Sequence, residues 1–502
     1  MSGYFGAVVS TPEHVDVLIV GAGLSGIGAA CQLREHQPTR SVALLEARAA
    51  SGGTWDLFQY PGIRSDSDMF TFGFSWRPWP GDRALADGPS ILDYLRTVAT
   101  EYGVDELVRY RHRVVRASWD SATATWTVEA DHDGEVVTLT CGVLWCASGY
   151  YHYEEPFAPE FPGAEEFGGR IVHPQHWPAD LDYAGQEVVV IGSGATAVTL
   201  VPAMAPTAGH VTMLQRSPSY VLSRPGRDRL ATLLRFLPTR ASYPFVRWAN
   251  ILLTIGSYQA ARRWPEKVKD VIRKGTASQL PDDVDVDVHF NPTYDPWDQR
   301  LCFVPDGDLF RALRKGQASM VTDTIERFDA TGVRLTSGQH LDADVIVTAT
   351  GLQVLAFGGV ELVVDGEPVE LADTMAYKAL MLSGVPNFVY TIGYTNASWT
   401  LKADLVSAYV MRLLAHMDDI GARSVVPVRD PDVPERPFMD LMSGYVLRAL
   451  DRMPRQGDRA PWRLKQNYLT DLRMIRHGRI DDGVLAFDTT HAQKGESALT
   501  AV

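Results

Sequence analysis

Two β-branched runs, each entering a glycine-rich turn and leaving it as a helix, predict a doubly wound α/β fold for this 502-residue chain. The first is VDVLIVGAGLSGIGAACQL from Val15, and the second is QEVVVIGSGATAVTLVPAM from Gln186. Short apolar runs at 143–147 and 344–350 also end at small-residue turns, as strands of a parallel sheet do. Together they predict two Rossmann-like dinucleotide-binding domains. A stretch rich in Leu, Ala, Arg and Trp at helical spacing, 224–274, adds a helical insertion.

Composition bounds the function. Apolar residues make up 45% and charged residues 22%, an ordinary globular balance for about two to four domains. The net charge is −14 with no Lys/Arg run, which argues against nucleic acid as a partner. Four cysteines form no disulfide framework, so a reducing cytoplasm is expected. The N-terminus has no basic stretch ahead of an apolar run, so no signal peptide is expected. No stretch reaches the ~18 apolar residues of a membrane span. The nearest, WANILLTIGSY at 248–258, reads as a buried helix. A loop at 393–399 precedes a helix at 402–417, and the proline-containing tail from 431 reads as a surface wrap.

At the first turn, Gly21 allows the tight bend, Gly23 lets backbone approach a pyrophosphate, and Gly26 lets helix and strand pack closely. The helix N-terminus offers free N–H groups to phosphates, and Ser25 adds a hydroxyl. Glu46 follows Gly26 by 20 residues, at the end of VALLE. A carboxylate there accepts from ribose hydroxyls and repels a 2′-phosphate, so the site suits FAD or NAD. At the second turn, Gly192, Gly194 and Ala197 form GxGxxA, and the residue at the next strand end is Arg216, 19 beyond Ala197. An arginine there suits the 2′-phosphate of NADP, with Ser193, Thr196 and Ser217 as further contacts. The pair implies FAD first and NADPH second, hence a flavin oxidoreductase.

A flavin disulfide reductase would need a redox-active cysteine pair. Cys141 and Cys146 flank the strand-like run CGVLWC, where positions five apart face opposite ways and close poorly into a disulfide. Buried thiols are the expected state. Two groupings invite a metal: His173 with His176, and Asp285, Asp287 and His289 in DVDVDVH. The first lacks a third ligand and the second reads as a solvated strand or loop edge, so no metal is expected.

Between the two turns, Phe167, Gly169, His173, Trp177 and Pro178 fill every fixed place of F-x-G-x-x-x-H-x-x-x-W-P. This resembles the fingerprint of Baeyer–Villiger monooxygenases, within the class B flavoprotein monooxygenases. Similar stretches run along almost the whole chain: GGTWDLFQYPGIRSDSD from Gly52, YDPWDQRL from Tyr294 and GYTNASWTLKADL from Gly393. They resemble the ethionamide-activating branch.

The resemblance implies a FAD domain made of 1–150 and 376–502. It implies an NADP domain of 151–223 and 291–375, with the insertion at 224–290. It implies flavin contacts at Gly53, Thr54, Trp55, Asp56, Arg64, Asp66 and Val114, with Trp55 packed near the ring. Arg300 in WDQRL matches the active-site cation, and Asp66 matches the carboxylate that positions it. His173 belongs to the interdomain linker and is not a base. Gln299 stands where many relatives have lysine. The implied reaction inserts one atom of O2 next to a ketone carbonyl through a C4a-peroxyflavin, giving an ester or lactone, with sulfides or thioamides as further substrates. An N- or S-oxygenating flavin enzyme and a non-catalytic flavin-binding redox sensor are the alternatives. The sequence leaves the native substrate and the oligomeric state open.

Overall fold

The computed structural model describes residues 12–299, 301–440 and 442–489. The strand Glu13–Val20 lies inside a nine-stranded sheet, pairing in parallel with Val42–Glu46 and with Glu135–Cys146. Antiparallel strands Thr125–His132 and His112–Asp120 extend the sheet beyond Glu135–Cys146. The central strands are apolar without alternation because both faces are covered. Val17, Ile19, Leu44 and Trp145 share one core with the helices Leu24–His36 and Trp399–Ile420. Leu18, Val20, Leu45 and Leu144 build a second core on the other face.

A separate sheet holds five parallel strands in the order Ala318–Thr322, His210–Gln215, Glu187–Ile191, Val345–Thr348, Arg170–Val172. Its strands are also buried on both faces: Val188 and Val190 pack in one cluster, Val189 and Ile191 in another. The chain re-enters the first sheet at Glu361–Val364, which pairs with Arg116–Trp119, ahead of the expected boundary at 375. Phe388–Tyr390 then pairs with the end of Glu135–Cys146.

The insertion forms helices Arg229–Leu233, Thr239–Arg263, Pro265–Ala277 and the turn Val286–His289. Arg247 pins the long helix to the first domain. It is buried, donates to the carbonyls of Phe70 (2.8 Å) and Gly73 (2.7 Å), and pairs with Asp404 at 3.1 Å.

Three expectations are corrected. The segment 248–258 is not a buried helix: it belongs to Thr239–Arg263, which buries Tyr243, Val246 and Ile251 while Trp248, Leu252 and Leu253 face outward. A helix lying on a domain surface buries one stripe only, and hydropathy alone does not say which. DVDVDVH is neither strand nor loop edge, because Asp285 accepts the Asp287 N–H at 2.8 Å and caps a helical turn. Asp287 then pairs with Arg273, and His289 bonds Thr322 at 2.8 Å. The tail is no surface wrap either. Phe438, Trp462 and Ile475 are buried, and Leu485–Asp488 pairs with Ser424–Pro427. None of the four cysteines is in a disulfide and all are buried, and burial pushes the thiols of Cys31, Cys141 and Cys146 upward.

Candidate functional site

The two glycine turns have nearly the same backbone. Gly21 (φ +103°) and Gly192 (φ +143°) hold the left-handed bend, each donating its N–H at 2.8 Å to the end of the neighbouring strand, Leu45 and Leu214. A Cβ at Gly21 would sit 2.9 Å from the Ala147 carbonyl oxygen, and one at Gly192 2.4 Å from that of Ala349. Side chains are therefore excluded at both bends.

The surroundings differ. Around the first turn, Gly52 donates to the Ala22 carbonyl at 2.9 Å, and a Cβ on Gly53 would lie 3.0 Å from the Gly23 Cα. Thr54 bonds the Tyr153 hydroxyl at 3.0 Å. Trp55 is half-buried with its ring edge-on to Phe72 at 5.6 Å, and Asp56 is ion-paired to Arg48 and Arg96, both at 2.7 Å. Ser25 accepts the Trp399 indole N–H at 2.8 Å, and that indole stacks on Tyr150. Glu46 is buried, with one oxygen accepting the Ala22 N–H (2.8 Å) and the other the Arg48 N–H (2.9 Å). Burial raises its pKa against these two bonds. Each carboxylate oxygen keeps a second lone pair for a ribose hydroxyl. Val114 lies in the core on the strand His112–Asp120.

The second turn is open. A Cβ at Gly194 would meet nothing within 4 Å, and the buried Ala197 occupies the place that Gly26 holds in the first. Ser193 bonds Ser219 at 2.9 Å. Arg216 and Ser217 are exposed, and among the described residues Arg216 makes no ion pair. A cation left unpaired at a strand end beside a helix N-terminus is suited to a phosphate.

The stretch Gly52 to Asp68 joins the two turns. Tyr60 faces Thr196, which acts to lower its phenol pKa, while burial pushes it up to about 12. Gly62 touches the helix Ala195–Met204 so closely that a Cβ would lie 2.6 Å from that of Ala203. Arg64 pairs with Asp308 of the second domain at 2.5 Å, both largely buried. The structure thus gives Arg64 an interdomain ion pair. Asp66 is half-buried two residues on, close enough to act on Tyr60. Arg300 lies outside the described residues.

The fingerprint segment has two parts. Phe167 and Gly169 are there for packing: a Cβ on Gly169 would lie 2.1 Å from the Asp344 carbonyl oxygen and 2.7 Å from the Phe167 ring. This close fit lets Arg170–Val172 pair with Val345–Val347. His173 accepts the Gln175 N–H on Nδ1 at 3.1 Å, which leaves the proton on Nε2, buried without a well-formed partner. Burial, with His176 nearby, lowers its pKa to about 4. Trp177 packs on the second domain's core, and Pro178 follows half-buried.

Sequence reasoning missed Gln175. Its amide donates to the carbonyls of His152 (2.9 Å) and Tyr153 (2.8 Å), tying the fingerprint to the loop whose Tyr153 touches Thr54. It also missed Asn396 and Ser398, just before the helix Trp399–Ile420. Both are buried, and among the described residues Asn396 Oδ1 and Ser398 Oγ have no hydrogen-bond partner. Leaving such atoms unpaired costs about 1–3 kcal/mol each, so the pair could accept from a polar ligand group. They line a partly open cavity walled by Ile251, Ile255, Leu401 and Tyr468. Behind it, Lys402 and Tyr394 share the buried Asp471 carboxylate. Among the described residues, no group of three or more His, Cys, Asp or Glu could hold a metal ion.

Residues 69–241 match the flavin-binding monooxygenase-like family, and residues 19–84 match an NAD(P)-binding Rossmann-like domain. Over 486 residues the chain is 56% identical to the FAD-containing monooxygenase EthA of Mycobacterium tuberculosis, covering 96% of this chain and 99% of that protein. It is 48% identical over 481 residues to the probable FAD-binding monooxygenase AlmA of Acinetobacter baylyi, covering 95% and 96%. Among solved structures, an oxidized steroid monooxygenase bound to NADP matches with a TM-score of 0.75 at 22% identity, covering 94% of this chain and 99% of that one. Cyclohexanone monooxygenase in an open form matches at 0.71 and 20%, covering 84% and 90%. These two likenesses speak to the fold.

Proposed function

The chain belongs to the flavin-binding monooxygenase-like family, and from that premise we propose that it is a Baeyer–Villiger monooxygenase using FAD and NADPH. The overall reaction is ketone + O2 + NADPH + H⁺ → ester or lactone + NADP⁺ + H2O. The observation that carries the reading is the segment from Phe167 to Pro178. It supplies the complete W-P form of the fingerprint, and its Gln175 is hydrogen-bonded to the connection that reaches the first glycine turn.

Gly21, Gly23 and Gly26 would leave room for the FAD pyrophosphate, with Glu46 accepting from its ribose. Asn396 and Ser398, with their unpartnered oxygens, fit the polar edge of a flavin ring. When bound, the flavin takes hydride from NADPH and passes one oxygen atom of O2 to the substrate. Arg216 binds the 2′-phosphate of NADPH and so selects it over NADH. Arg300 holds the negative charge that develops on the carbonyl oxygen of the substrate. A guanidinium stays charged at any working pH, and a preorganised donor of this kind is worth about 10²–10³ in rate. Asp66 orients that arginine. His173 stays neutral at working pH, as expected of a linker residue that neither gives nor takes a proton in turnover.

The test is a panel of ketones and sulfides incubated with NADPH and isotopically labelled O2, with products identified by mass. Labelled esters or lactones support the proposal. Labelled sulfoxides with no ester would make this a heteroatom oxygenase instead.

A further inference from the structure

The insertion carries an apolar surface that stays exposed among the described residues. Among the described residues, every exposed Phe or Trp lies in it: Phe236, Phe245, Trp248 and Trp264, between 41% and 76% exposed. Scattered exposed apolar residues are normal, but this is a cluster. Phe245, Trp248 and Leu252 recur at helical spacing on Thr239–Arg263, on the side opposite the buried Tyr243, Arg247 and Asn250. Phe236 and Leu237 extend the surface through the turn ahead of the helix.

The charge around this surface is as distinctive. From Arg224 to Lys274 the chain has twelve Lys/Arg and three Asp/Glu, a net +9 inside a protein of net −14. Arg235, Arg240 and Arg263 are exposed and, among the described residues, make no ion pair. Arg263 lies 18 residues after Phe245, five helical turns along the same stripe. An aromatic and leucine face rimmed by free arginines matches an anionic lipid surface, where apolar side chains enter the acyl boundary and arginines meet headgroup phosphates. A two-fold dimer through the same face would bring Arg235, Arg240 and Arg263 of both copies together with no carboxylate between them among their described ion pairs. No helix among the described residues is long and apolar enough to cross a membrane, so the fit is to the surface.

We propose that the outward face of Thr239–Arg263, with the turn before it, docks the protein onto an anionic lipid bilayer. The flank of the same helix walls the candidate cavity through Ile251 and Ile255, and Trp248 meets the cavity's Tyr468 edge-on at 6.0 Å, so docking sets the cavity beside the membrane surface. The proposal does not depend on the Baeyer–Villiger reading.

The test is sedimentation of the full-length flavoprotein with vesicles of phosphatidylcholine alone or mixed with phosphatidylglycerol. Binding is expected to the mixed vesicles, weakened by salt, with a blue shift of tryptophan emission. Phe245→Ser combined with Leu252→Ser should weaken binding about tenfold or more. Arg235→Glu combined with Arg240→Glu should do the same on the mixed vesicles only. Unchanged flavin content in both variants would show that they fold. Failure of the wild type to bind the mixed vesicles, or binding indifferent to both variants, overturns the proposal. So does self-association in sedimentation velocity that the Phe245→Ser, Leu252→Ser variant abolishes, since it would assign the face to a second copy.

Discussion

At the first glycine turn Gly23 caps its helix at φ −84° and ψ −170°; at the second, Gly194 does so at φ −84° and ψ −174°. The bends match, yet one is walled in and the other is open. Gly52, Gly53, Tyr153 and the Ser25–Trp399 bond enclose the first, and its acidic residue is buried with both oxygens bonded. The second presents Gly194 to empty space and a free Arg216 to solvent. One backbone motif has thus been surrounded for two uses. An enclosed turn suits a dinucleotide that stays through every turnover, and an open one suits a dinucleotide that must leave after giving up its hydride.

The sharpest way to break this comparison is to exchange the third motif position. Gly26→Ala would put a Cβ 1.9 Å from the Gly21 carbonyl oxygen. The bend would have to move, at about 3 kcal/mol or more for overpacking. The protein should purify without flavin and melt lower. Ala197→Gly in the second turn should keep full flavin and change the KM for NADPH only slightly. Loss of flavin from the Ala197 variant would mean that the two turns are not independent.

Arg216→Ala tests the open turn. Charge-assisted bonds to a phosphate contribute about 1.5–3 kcal/mol, so the KM for NADPH should rise about tenfold or more while that for NADH barely changes. Equal losses with both nucleotides would remove Arg216 from the site.

Tyr60→Phe addresses how the turns communicate. It removes the phenol hydroxyl that faces Thr196 and should slow flavin reduction by NADPH a few-fold without releasing flavin. Reduction at the wild-type rate would make that contact structural only.

The smallest effect at neutral pH belongs to His173. Its folded pKa of about 4 lies below the ordinary 6.5. Below pH 6.5 the unfolded chain takes up a proton that the folded one refuses. The stability this histidine allows at neutral pH is therefore lost as pH falls from 6.5 towards 4, on the order of 2 kcal/mol. His173→Gln should flatten the urea midpoint over that window and leave the midpoint at pH 7.5 nearly unchanged. A parallel pH dependence in both proteins would place the titrating group elsewhere.

Much of the first turn was legible because its signals are local: strand, glycine spacing and Glu46 lie within one unit of chain. The surroundings that separate the turns were not. Ser25 meets Trp399 and Arg64 meets Asp308 across hundreds of residues, and nothing in the local sequence announces such partners. Gln175 occupies a variable place of the fingerprint, and only its two carbonyl partners reveal its role. The insertion misled for a different reason. Phe245, Trp248 and Leu252 have the period of a core stripe, but on the opposite face Arg247 bonds the first domain and Asn250 bonds Asp228 within the insertion. The DVDVDVH alternation gave way to an aspartate cap, a choice between local bonds that periodicity cannot settle.

The contrast between an enclosed and an open turn is tested most directly by loading the purified protein with NADP⁺, dialysing it extensively, and measuring both dinucleotides left per polypeptide. The account predicts that FAD remains near one per chain while NADP⁺ is gone. Loss of both at similar rates, or retention of NADP⁺ with loss of FAD, would contradict it.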